Sequence, residues 1–186
     1  MDRLKECARM RLITLVIGLF LMVGCVPCSE HPLSIPGQDE LDSRLYGTWF
    51  HKEDDETVFI HFGLDDKSRL MKVVFVSTKK DGELEHIEFI GHNTNSKDFR
   101  YLNLKWVNPD GDCPGYLFVK YALSENALGI CIADFPAIQK AIENGELKGE
   151  ISKSSTMLQD EPEKMKDFFE KHDRELFPEM HYMQKL

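Results

Sequence analysis

The chain has 186 residues and carries 23 Lys and Arg against 32 Asp and Glu, a net charge of −9 with histidine neutral. Its basic residues form no cluster, so it offers no electropositive face to a phosphate backbone, and nucleic acid is excluded as a partner class. The length is that of one domain large enough to bury a sizeable core.

Residues 12–23 are an uncharged apolar run preceded by Arg9 and Arg11 and followed by Gly24-Cys25. A positive start, an apolar middle and a small-residue exit describe a secretory signal. A membrane span needs about 20 apolar residues, whereas this run has about a dozen with Pro27 and Pro32 close behind it. Met22-Val23-Gly24-Cys25 resembles the lipobox of bacterial lipoproteins, with Met22 where Leu is usual. The resemblance implies removal of a signal peptide over 1–24, acylation of Cys25 (palmitate among the chains) and a membrane partner bound through that anchor. Val26, where an Asp would retain such a protein at the inner membrane, implies the periplasmic face of the outer membrane of a bacterial cell envelope. The start is either Met1 or Met10. Without the charged lead residues Asp2, Arg3, Lys5, Glu6, Arg9 and Arg11, the remainder carries about −11.

Cys7 leaves with the signal and Cys25 is taken by lipid, so Cys28, Cys113 and Cys131 are left in an oxidising compartment. In a hairpin of 115–123 with 127–132, Cys131 faces Phe118 or Val119, which leaves Cys113 roughly 15 Å further along. A disulfide between them then requires the chain to fold back at Pro114-Gly115, since it spans only about 4.4 to 6.8 Å between Cα atoms. Cys25 and Cys28 have a CxxC spacing, but acylation withdraws Cys25 from redox work.

Residues 25–42 are rich in Pro, Ser, Gly, Gln and acids and read as a flexible tether ahead of a domain over 43–186. Seven strands then follow in succession, at 47–51, 56–62, 70–78, 83–90, 99–107, 115–123 and 127–132, with a weaker eighth at 150–154. Asp81-Gly82 is a hairpin signal because both turn positions must accept positive φ. Leu102, Leu104 and Trp106 share one face and Tyr101, Asn103 and Lys105 the other, the pattern of a sheet with one apolar and one wet side. Asp134 caps a helix near 135–144, with Pro136 in its first turn and Gly145 at its stop. A C-terminal helix near 162–176 has Met165, Phe168, Phe169, His172 and Leu176 on one stripe. Residues 179–186 form a tail without a predicted state.

The expected fold is therefore mainly β, an antiparallel up-and-down barrel of seven or eight strands with two helices laid against it. Gly47-Thr48-Trp49 at the opening of the first strand resembles the GxW signature of the lipocalin and wider calycin group. That resemblance implies a tryptophan closing the barrel's base under a basic residue, which the sequence alone does not identify. Tyr101-Leu-Asn-Leu104, Phe118-Val-Lys-Tyr121, the stretch 141–149 and Asp173-Arg-Glu-Leu-Phe177 are similar to phrases in small envelope lipoproteins of uncharacterised function.

Signatures of a serine-nucleophile elbow, a zinc-protease helix, a phosphate loop or a dinucleotide turn are absent from the sequence. His51 and His61 with Asp54 or Asp55 form the best metal candidate, against the simpler reading of single solvated histidines. No metal, no cofactor and no enzymatic activity are expected. The expected function is binding of a small apolar or amphipathic ligand within the barrel, with Trp49, Phe59, Phe75, Phe89, Trp106 and Tyr121 as wall residues. The alternative is a structural lipoprotein with a filled barrel, presenting a surface to an envelope protein partner.

Overall fold

The computed structural model describes residues 27–53, 56–78, 82–108, 113–152 and 155–186. The signal segment 1–24 and Cys25 lie outside the described residues. Among those described, no helix is long and apolar enough to cross a membrane.

Seven strands follow one another by hairpins: β2 (Gly47–Glu53), β3 (Glu56–Leu64), β4 (Met71–Thr78), β5 (Leu84–Asn95), β6 (Arg100–Trp106), β7 (Tyr116–Leu123) and β8 (Ala127–Ile132). An eighth, β11 (His181–Lys185), lies between β8 and β2 and closes an antiparallel barrel. Closure leaves neither β8 nor β2 with an open edge. A strand does form in part of the stretch expected at 150–154, at Gly149–Ile151, but it pairs outside the barrel, and the closing strand comes from the C-terminal tail. Met183 is its single buried residue, so the apolar alternation that marks the other strands is almost missing from β11.

Inside the barrel, side chains stand in rows set by the register. Trp49, Ile60, Phe75 and Ile87 form one row, and Phe62, Val73, Phe89 and Trp106 another. Gly82 takes φ +84 at the predicted turn between β4 and β5, where a side chain would be strained.

The outer face of β6 to β8 is not wet as expected; Tyr101 and Asn103 are fully buried. Helices α1 (Phe135–Glu143), α2 (Pro162–Lys171) and α3 (Asp173–Leu176) cover it. The Asp134 carboxylate accepts from the Ala137 backbone N–H at 2.8 Å and caps α1, as its sequence predicts. Ile138, Met165, Phe169 and Leu176 then pack with Tyr101, Phe118 and Phe177 into a second core. Phe169 meets Phe118 edge-on, with ring centroids 5.2 Å apart. The single helix expected over 162–176 breaks at His172, whose ring stacks on Phe168 at 4.3 Å. That break turns Asp173 inward to pair with Lys120 of β7 at 2.5 Å.

The expected tether is also corrected for residues 27–42, which strap the barrel from one end to the other. β1 (Pro27–Ser29) pairs in parallel with β10 (Thr156–Leu158), which pairs with β9 (Gly149–Ile151), and Ser29 bridges to Tyr116 of β7. Gly115 admits that bridge because a Cβ there would strike the Ser29 carbonyl. The Leu33 N–H donates to Asn103 Oδ1 at 2.7 Å, His92 Nε2 donates to the Ser34 carbonyl at 2.7 Å, and Asn93 bonds Glu40 and Asp42. The polar composition read as tether serves this strap, satisfying buried polar groups of β5 and β6.

Cys28 is joined to Cys113, with Cα atoms 5.8 Å apart, and not Cys113 to Cys131. Cys131 faces the second core as a free, buried thiol whose pKa is raised by burial.

Candidate functional site

The barrel's two ends differ because the sequence treats them differently. At the base, the chain enters β2 through a turn at Ser43–Leu45 that places Leu45 over the interior. Trp49 is buried beneath it, and its indole N–H donates to the Leu45 carbonyl at 2.7 Å. Lys185, from the closing strand, holds its ammonium 5.1 Å from the Trp49 ring centroid. This supplies the basic residue over the tryptophan that the resemblance implied. Tyr121 also belongs to the base and donates its hydroxyl to Asp42 Oδ2 at 3.1 Å. The Arg44 guanidinium, bonded to both Asp42 oxygens at 2.7 and 2.6 Å, holds that carboxyl below its ordinary pKa. Burial pushes the Tyr121 hydroxyl well above its ordinary value, so it remains a donor.

Toward the other end the interior is not filled. A cavity of about 140 Å³ lies beneath the open mouth, between Val58, Ile60 and Phe75 on one side and Leu117, Val119 and Ile130 on the other. Phe89 and Trp106 form part of its wall, their ring centroids 4.9 Å apart. Its polar groups are few. His51 and His181, on neighbouring strands, both line it, and His51 Nδ1–H donates to the Tyr182 carbonyl at 3.0 Å.

Of the six residues expected on the wall, Phe75, Phe89 and Trp106 line this cavity. Trp49 and Tyr121 belong to the packed core at the base. Phe59 is on the outer face beside Phe50, with ring centroids 6.4 Å apart, because it is out of step with Val58 and Ile60. The wall is more aliphatic than expected, and Val58, Ile60, Ile87, Leu117 and Ile130 were not anticipated. Their signal is parity: residues an even number of steps from Trp49 along the paired register face inward.

The weighed metal group does not assemble. His51 faces the cavity, while His61 faces outward with its Nδ1 3.0 Å from Thr48 Oγ1. Asp54 and Asp55 lie outside the described residues, and among the described residues no three His, Cys, Asp or Glu side chains are grouped to hold a metal. What the arrangement can do chemically is hold a small apolar body away from water, with two imidazoles at the cavity's edge. No family model, curated protein or solved structure matches this chain.

Proposed function

We propose that the chain is a lipocalin-like lipoprotein of the bacterial cell envelope, anchored by acylated Cys25, whose barrel binds the apolar end of a small amphipathic ligand. The observation that carries the reading is the apolar cavity beneath the barrel's mouth, about 140 Å³ in volume. An apolar cavity of about 150 Å³ stays dry and accepts a benzene-sized body. The matching guest is the last few carbons of an alkyl chain. About six methylenes at about 0.8 kcal/mol each give about 5 kcal/mol, an affinity between millimolar and micromolar. Tighter binding requires more of the chain to lie along the mouth. The reading is of a binding protein without catalysis, cofactor or nucleic acid.

The test is a titration of the unacylated Cys25→Ala protein with alkyl carboxylates and lysophospholipids of increasing chain length. Affinity is expected to rise with each added carbon until the cavity is full, and Phe75→Trp or Phe89→Trp should weaken it while the fold stays intact. Absence of binding across the panel, or binding indifferent to both substitutions, overturns the carrier reading. For the anchor, Cys25→Ala is expected to move the protein from the membrane to the soluble fraction or to leave its signal uncut. An intact mass without acyl chains in the wild-type protein overturns that part.

A second reading, a structural lipoprotein that presents a surface to an envelope protein, is favoured by the barrel's uncovered outer face. Phe50, Phe59, Val74 and Val76 are only partly buried there, and Tyr182 is exposed. Crosslinking of the tethered protein in whole cells at Tyr182 distinguishes it, since the carrier reading expects no single protein partner at that site.

A further inference from the structure

We infer that the ligand carries an uncharged hydrogen-bonding head, in the simplest case an alcohol, and that the His181 imidazole at the edge of the cavity binds it. The inference rests on the binding reading and adds to it the chemistry of the ligand's polar end and the residue that selects it.

His181 opens the closing strand at its mouth end, two residues before Met183 and on the same face. Met183 is buried, whereas His181 is only partly buried, and both line the cavity. Its register partner on β8, Ile130, belongs to the aliphatic wall. Other polar groups along the wall are engaged or less versatile. His51 donates its Nδ1–H to the Tyr182 carbonyl at 3.0 Å, and the Cys131 thiol donates to the Ile132 carbonyl at 3.5 Å. Trp106 stands on β6, three strands from β11, and an indole N–H can only donate. His181 makes no hydrogen bond or ion pair among the described residues, and its ring can both donate and accept. At an open mouth, solvent serves that ring. A guest that fills the cavity displaces the solvent, and a guest without a polar group gives the imidazole nothing in return.

Charge then separates the classes of head. An alkyl carboxylate meets an opposing field, because the chain carries −9. The stretches that join β2 to β3, β4 to β5 and β6 to β7 at the mouth, 53–56, 79–83 and 107–115, hold eight Asp and Glu against two Lys. Glu179 also precedes His181 by two residues, and Glu85 stands two residues from the wall residue Ile87 on β5. An alkylammonium suits that field, but it has three hydrated donors to satisfy. Beside an apolar wall it loses water that one acceptor nitrogen does not replace. A hydroxyl avoids both costs, since it gives or takes one bond with either tautomer of the ring. The ligand class is therefore straight-chain alcohols and partial glycerides.

The test titrates the unacylated Cys25→Ala protein with hexan-1-ol, hexanoate, hexylammonium and 1-chlorohexane, which share one chain length. Hexan-1-ol is expected to bind more tightly than either ion. On that background His181→Leu should weaken hexan-1-ol severalfold and leave 1-chlorohexane, which has no hydroxyl, unchanged, while His181→Gln keeps the alcohol within about twofold. A His181→Leu variant that fails to fold does not end the test. The His181 ring resonances of the parent protein are expected to shift with hexan-1-ol and to stay in place with 1-chlorohexane. Tighter binding of hexanoate or hexylammonium, equal loss of the alcohol and the chloroalkane in His181→Leu, or ring resonances indifferent to the alcohol would each overturn the proposal. Binding of all four probes without regard to His181 leaves the binding reading standing and removes this one. Binding of none removes both.

Discussion

Trp49 shows how much one residue does in this fold. It fills the base, its N–H is satisfied by Leu45, and Lys185 of the last strand lies over its ring. Trp49→Ala is expected to destabilise the protein by about 3–5 kcal/mol, the range for truncating a buried tryptophan. Lys185→Ala should lose only about 0.5–1 kcal/mol, because Lys185 is itself exposed and a solvated cation over a ring adds little. Chemical denaturation of both variants checks the ratio. His92 is the residue whose ionisation reaches furthest into the structure. Burial lowers its pKa below the ordinary 6.5, and the Ser34 carbonyl accepts its Nε2–H. Because the folded state disfavours the proton, the unfolded chain binds more protons below pH 6.5. Its contribution is present in full above that pH and is lost as pH falls toward the lower, folded-state value. The melting temperature of the wild type should therefore decline from pH 7 to pH 5 more steeply than that of His92→Gln.

The strap is the element on which the second core depends. Its disulfide closes a loop between residues 85 apart in sequence, and Cys113→Ser or reduction is expected to cost about 2–5 kcal/mol, read as a drop in melting temperature. A chain beginning at Asp39 lacks β1, Leu33 and Ser34, leaves Asn103 Oδ1 without its partner, and should melt lower than one beginning at Pro27. How far the sequence disclosed each element follows from its physics. Strands β2 to β8 were legible because alternation and short turns are local signals, and α1 because Asp134, Pro136 and Gly145 mark its ends. The strap was not. Its stability comes from partners 51 to 70 residues away, such as Asn103, Thr94 and Asn93, and its own composition is that of a linker. β11 was illegible for the same reason, having one buried residue and two long-range neighbours. Three of the six residues named for the wall line the cavity, because aromatic residues were sought; parity from Trp49 would have supplied the aliphatic ones and excluded Phe59.

At the scale of the whole molecule, the barrel is shared between two cores that meet across β6, β7 and β8. Leu102, Leu104 and Val119 face the interior, while Tyr101 and Phe118 on the same strands face the helices. Such strands are apolar on both faces, so a polar substitution on either side is expected to be severe, whereas β3 and β4 should tolerate it on the outer face. Phe118→Ser and Val119→Ser should each destabilise more than Val76→Ser, as read by the midpoint of urea unfolding.

The closing strand also sets an order in time. A chain that emerges amino end first presents Cys28 and β2 long before His181–Lys185 has arrived. Cys28 can meet Cys113 once about three-fifths of the chain is out, but β2 and β8 must wait with open edges for the final residues. The disulfide can thus precede the barrel, holding the strap to the start of β7 while the circle is still open. A truncation that removes His181–Lys185 strikes the event that closes the barrel.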